Sequence, residues 1–136
     1  MRCQLLAETL SVPSAREAVT QLMRGAVVNF TKSQGVGCCF VIQAPIVSDE
    51  ASEKTHRHIA EMRAAVEKFI RQRLERAVED GELPADTSAA DLARFFAVTI
   101  QGLALQAQHG GTQEELMRVV DLSVAQWPKA KGSKRK

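Results

Sequence analysis

The sequence predicts an all-α domain whose last two helices pair with a symmetry mate as a helical bundle. Three observations predict it. Apolar residues recur at three–four spacing along most of the 136 residues, and few stretches read as strands. Helix start and stop signals bracket the periodic stretches. Finally, the helix expected at about 90–108 is apolar on two sides. Leu92, Phe96, Ile100, Leu103 and Ala107 form one stripe; Phe95, Val98, Gly102 and Leu105 form a second, rotated away from it. A surface helix needs a single stripe about 100° wide, and a chain this short has little interior in which to bury a helix all round. The second stripe is therefore expected to meet another copy of the chain. Gly102 fits that reading, because a mid-helix glycine costs about 0.5–1 kcal/mol relative to alanine and admits the close approach of another backbone. The plainer alternative is a central helix wrapped by its own neighbours.

Taken in order, residues 3–10 read as the end of a helix. Ser14, with Glu17 three residues on, opens the next as a capping box. Ala18, Leu22, Gly25 or Ala26, Asn29 and Phe30 carry that helix towards Gly35 and Gly37. The apolar run 38–47 is too short to type by period, and its β-branched Val and Ile would allow a strand. Among helical neighbours it reads as a short buried helix that Pro45 ends or kinks. Ser48 or Asp49 opens the longest helix, with Glu50 and Glu53 at its positive end. Ile59, Met62, Val66, Phe69, Ile70, Leu74, Ala77 and Val78 line one side, and Arg57, Arg63, Glu67, Arg71, Glu75 and Glu79 the other. Asp80-Gly81 stops it, glycine supplying a positive φ. Leu83-Pro84 turns the chain, and Thr87 or Ser88 caps the double-striped helix with Asp91 completing a box. Gly110-Gly111 ends that helix. Thr112, with Glu115, caps a final helix reaching Trp127. It too carries two apolar lines: Leu116, Val120, Ser123 and Trp127 on one, Val119 and Leu122 on the other. Two such helices joined by a tight turn form an antiparallel pair that can dock on its symmetry mate.

Composition fits one globular domain, 45% hydrophobic and 25% charged. No signal peptide is expected, since Glu8 breaks the first apolar run. The longest apolar stretch, 36–47, is too short to span a bilayer, so the expected location is the cytoplasm, without membrane contact. Cys3, Cys38 and Cys39 are odd in number and read as free thiols. Five of the 18 basic residues (Lys129, Lys131, Lys134, Arg135 and Lys136) fall at the carboxy terminus, so the remainder is mildly acidic. That argues against a nucleic-acid face on the folded body. The division expected is a helical domain over 1–127 and a basic, solubilising tail over 128–136.

No catalytic constellation, metal site or cofactor motif stands out. His56 and His58 lie two apart on a helix, so they do not share a face. His109 sits beside terminal helix carbonyls. Cys38 and Cys39 lack the spacing of zinc or redox pairs, although a thiol sensor there is a third functional class beside a ligand-responsive dimer and a purely structural one.

The run Leu74-Glu-Arg-Ala-Val-Glu-Asp-Gly-Glu-Leu-Pro-Ala-Asp-Thr-Ser-Ala-Ala-Asp-Leu-Ala-Arg-Phe-Phe96 closely resembles a junction in the tetracycline-repressor (TetR) family, where a long helix ends before a dimerisation helix. Ile100-Gln101-Gly102-Leu103, Gly37-Cys38-Cys39-Phe40-Val41 and Pro13-Ser14-Ala15-Arg16-Glu17-Ala18 are similar to that family at matching places, so the resemblance covers nearly all of the chain up to Trp127. It implies an effector-binding and dimerisation domain of a transcriptional regulator, not an enzyme. The family's amino-terminal helix-turn-helix has no counterpart in these residues, so DNA would be read only through a domain outside them. Ile42 stands where relatives with the Gly-Cys motif often carry asparagine.

The resemblance also implies an apolar effector cavity between the helices. Its expected lining is Met23, Val27, Phe30, Phe40, Met62, Val66, Phe69 and Phe96, with Gln43 and Thr99 as polar anchors. With no tyrosine and few aromatic residues, a small hydrophobic effector is expected. The same residues at helical spacing also suit a plain core. The expected dimer interface is Phe95, Val98, Gly102, Leu105, Val119 and Leu122. The alternatives are a structural homodimer without ligand, or a truncated regulator forming mixed dimers with intact relatives.

Overall fold

The computed structural model describes residues 12–32 and 53–129. These residues form four helices and no strand: α1 (Ala15–Lys32), α2 (Glu53–Glu79), α3 (Ala89–Gln108) and α4 (Gln113–Val124). The expectations for residues 3–10, for 38–47 and its cysteines, for the opening of the long helix before Glu53, and for the tail beyond Lys129 lie outside the described residues, as do the side chains of Ile59 and Met62.

Each start follows from a local donor–acceptor match. The Ser14 carbonyl accepts the first helical bond of α1, and its hydroxyl accepts from the Glu17 N–H at 3.3 Å. The reciprocal half of that box is absent because the Glu17 carboxylate accepts from Gln21 instead. Ser88, not Thr87, caps α3, accepting from the Asp91 N–H at 3.2 Å. At Thr112 the box is complete in both directions with Glu115. Such caps satisfy orphan helix donors and contribute about 1 kcal/mol each.

Helices α2 and α3 stop the same way. Gly81 has φ of 83° and Gly110 has φ of 94°, a left-handed region open to glycine. Glu82 N–H donates to Ala77 O and Gly81 N–H to Val78 O. Gly111 and Gly110 repeat that pattern on Gln106 and Ala107. Both are Schellman motifs. Helix α4 ends at Val124, three residues before the expected Trp127. There the Gln126 and Trp127 amides bond three residues back, to Ser123 and Val124, since Pro128 disfavours α backbone at the residue before it.

The core lies where α1 is packed on by α3 and α4 while α2 runs along α3. Ala15, Val19, Leu22, Met23, Ala26, Val27 and Phe30 fill it from α1, with Ile70, Leu74 and Ala77 from α2, Ala93, Phe96, Ile100, Leu103 and Ala104 from α3, and Leu116, Val120 and Val124 from α4. The α1 stripe is wider than expected and excludes Asn29, which is exposed. Trp127 packs over Phe96 with ring centroids 6.0 Å apart. None of the helices among the described residues is long and apolar enough to cross a membrane.

Candidate functional site

The α3–α4 hairpin carries the feature that its own core does not use. One stripe of α3 is buried, with Phe96 at 0% exposure. On the same helix Phe95, Val98 and Leu105 stand exposed at 39%, 57% and 42%, and on α4 Val119 and Leu122 at 40% and 67%. Both helices therefore bury one apolar line and present another, as the double striping predicts. From Phe95 to Gln108 the sequence has no charged side chain. A solvent-facing helix normally alternates charge on that side, and loss of charge with retained apolar bulk is what the centres of protein interfaces have.

Gly102 lies within this face. A Cβ built on it would meet nothing within 4 Å, so no contact among the described residues demands glycine there. The hairpin turn has the opposite character. A Cβ on Gly111 would lie 2.9 Å from the Gln106 carbonyl oxygen and 3.2 Å from its carbon. Glycine at that turn lets α4 fold back tightly on α3 and sets their apolar lines side by side. The Phe95 ring stands edge-on to Phe96 at 5.2 Å. Beside it an open groove of about 430 Å³ is lined by Asp86, Thr87, Ser88, Asp91, Leu92, Phe95 and Pro128.

Of the residues expected to line an effector cavity, Met23, Val27, Phe30 and Phe96 converge in one buried cluster, with Val66 packed against it. Phe69 is half-buried. Thr99 is half-buried as well, and its hydroxyl donates to the Phe95 carbonyl at 2.8 Å, which occupies its proton within the helix. Phe40 and Gln43 lie outside the described residues. Among the described residues, no group of three or more His, Cys, Asp and Glu side chains is placed to hold a metal ion.

One polar constellation escaped the sequence reading. Arg73 is buried, its side chain 5% exposed and 3.7 Å from Glu82 Oε1. Its Nη2 donates to the carbonyls of Val12 at 3.1 Å and Pro13 at 2.9 Å. The other Glu82 oxygen accepts from the Ala15 N–H at 2.7 Å, at the positive end of α1. The end of α2 is thereby clasped to the start of α1. The signal was a basic residue at a core position, three after Ile70 and four before Ala77, with an acid just beyond the glycine stop.

A model of the tetracyclin repressor-like C-terminal domain matches residues 15–122. This chain belongs to the TetR family. It is 30% identical over 131 residues to the HTH-type transcriptional repressor ComR of Escherichia coli (strain K12), an alignment covering 92% of the chain and 58% of ComR. The chain thus spans less than two thirds of that repressor. The TetR-family regulator CifR, as a triple cysteine mutant complexed with 26-bp operator DNA, is similar at 31% identity with a TM-score of 0.82, over 92% of this chain and 65% of CifR. A TetR transcriptional regulator from Rhodococcus sp. RHA1 is similar at 32% identity with a TM-score of 0.78, over 95% of this chain and 69% of that one. The all-α fold and the regulator family expected from the residues are both found. The family is one of transcriptional regulators, and this chain has the fold of its C-terminal domain.

Proposed function

We propose that this chain is the dimerisation and effector-responsive part of a TetR-family repressor. The observation that carries the reading is the exposed apolar face of Phe95, Val98, Gly102 and Leu105 on α3, where the sequence has no charge from 95 to 108, continued by Val119 and Leu122 on α4. A second copy removes that face from water, and a symmetric pair needs the same patch on both members. The helical domain over 1–127 does the pairing, and the basic residues over 128–136 add solubility. The regulator works in the cytoplasm.

The effector is a small hydrophobic molecule held between α1, residues 38–47, α2 and α3. Met23, Val27, Phe30, Phe40, Met62, Val66, Phe69 and Phe96 supply apolar walls, and Gln43 and Thr99 the polar contacts. Thr99 contacts it as an acceptor, since its proton is engaged by Phe95 O. Binding favours one relative setting of the two protomers. A helix-turn-helix domain of the kind that reads DNA in the major groove turns that setting into affinity for an operator. CifR, similar over 92% of this chain, is seen on operator DNA, which supports the reading.

Thermal unfolding in the presence of a panel of hydrophobic compounds tests the effector. A ligand at 100 times its Kd adds about 2.7 kcal/mol of stability, and substitution of Phe96 or Val27 should abolish the shift. A panel that moves the transition nowhere removes the effector from the proposal and leaves the dimer.

A further inference from the structure

We infer that the twofold axis of the pair crosses the hairpin face at the height of Ile100, laying α3 and α4 each antiparallel on its own copy. The inference rests on the self-pairing reading and adds its register. The apolar positions of the exposed α3 stripe, 95, 98, 102 and 105, are spaced three, four, three. That spacing is a palindrome centred on position 100. A twofold axis set there and perpendicular to the helices puts Val98 over the partner's Gly102 and Phe95 over the partner's Leu105. Each contact then occurs twice, as an isologous interface requires.

Helix α4 carries an independent centre. Val119 and Leu122 are the exposed apolar pair there, and their midpoint falls between Val120 and Asp121. Helix rise places Ile100 about 12 Å below the last residue of α3 and the α4 midpoint about 11 Å below the first residue of α4. The Gly111 N–H bond to Gln106 O closes the end of α3 and the next residue, Thr112, caps α4, so only residues 109–112 lie between the two ends. The two centres therefore share a height, and one axis serves both helices. Val119 then meets the partner's Leu122.

Gly102 completes the fit. With nothing among the described residues within 4 Å of a Cβ placed there, it is a notch opposite the most exposed large apolar side chain of α3, Val98 at 57%. A side chain missing at one position and projecting at the other lets two helices approach to about 8–10 Å. The competing axis, parallel to the helices, would lay α3 on the partner's α4. At equal heights it would set Val98 near the partner's Leu122 and Gly102 between the partner's Arg118 and Val119. Phe95 would fall between the partner's Ala125 and Gln126, and Leu105 between the partner's Glu115 and the buried Leu116, so neither end residue of the stripe meets an exposed large apolar side chain.

Exchanging knob and notch tests the register by sedimentation equilibrium of the full chain. Gly102→Val alone should weaken the dimer about a hundred-fold, since two overpacked contacts arise per pair. The double variant Val98→Gly/Gly102→Val moves the notch to the partner of the new knob, and its dimer Kd should return to within about tenfold of the wild-type value. Circular dichroism equal to wild type shows that each variant is folded, as the open space at Gly102 allows. A double variant as weak as Gly102→Val, or a Gly102→Val dimer as tight as wild type, overturns the register while leaving self-pairing in place. A monomeric wild-type chain overturns both.

Discussion

Replacing Arg73 by methionine keeps the volume of a buried side chain and removes its charge and donors. Arg73 Nη2 donates to two main-chain carbonyls, of Val12 and Pro13, and the guanidinium faces Glu82. Hydrogen bonds from a charged donor contribute about 1.5–3 kcal/mol each. Against that stands the desolvation of a guanidinium whose Nε and Nη1 are buried with no hydrogen-bond partner among the described residues. Breaking a fully buried ion pair costs about 3–5 kcal/mol because one charge is stranded. Here the Glu82 side chain is 29% exposed and keeps the Ala15 N–H, so it is stranded only in part. The net loss expected for Arg73→Met is about 2–3 kcal/mol, or a fall in Tm of roughly 8–12 °C for a domain of this size. Urea unfolding followed by circular dichroism, at one fixed protomer concentration, measures it. Arg71→Met is the control: Arg71 meets Glu75 at 2.8 Å on a half-exposed surface, where such pairs contribute about 0.3–0.5 kcal/mol. The clasp argument is refuted if Arg73→Met unfolds within about 0.5 kcal/mol of wild type, the scale of an ordinary surface substitution.

Three further outcomes are expected. Gly111→Ala should destabilise the chain by about 1–3 kcal/mol, the usual cost of overpacking, because its Cβ would lie 2.9 Å from a backbone oxygen; thermal melting reads the loss. Gly81→Ala, whose Cβ would meet nothing but whose φ is 83°, should cost about 1–2 kcal/mol through backbone strain, seen as a lower urea midpoint with unchanged m-value. Thr112→Ala removes a two-way capping box and should cost about 1 kcal/mol. Hydrogen exchange should then show faster opening at the first turn of α4 than at α3.

The fold was legible where local chemistry decides it. The caps at Ser14 and Thr112, the stops at Gly81 and Gly110 and the double striping of α3 and α4 all need only neighbours within a turn, and all are found. The five large side chains of the expected face are the large apolar ones left exposed among the described residues, because helical period alone separates them from the buried line. Legibility fails where the cause is distant. Arg73 reads as a gap in an apolar stripe until Val12 and Pro13, some sixty positions away, supply their carbonyls. The early end of α4 depends on Pro128 and on the packing of Trp127 over Phe96, neither of which interrupts the periodicity. The cavity residues are legible only as apolar, since Met23, Val27 and Phe96 serve a core and a pocket wall alike.

Light scattering on the purified chain at micromolar concentration tests most directly whether the bare α3–α4 face is closed by a twin. The protomer is 14.9 kDa. The expected mass is twice that, falling to one protomer when Leu122 and Val98 are both changed to serine without loss of helix content. A wild-type chain that stays at a single protomer mass, folded and well behaved, contradicts it.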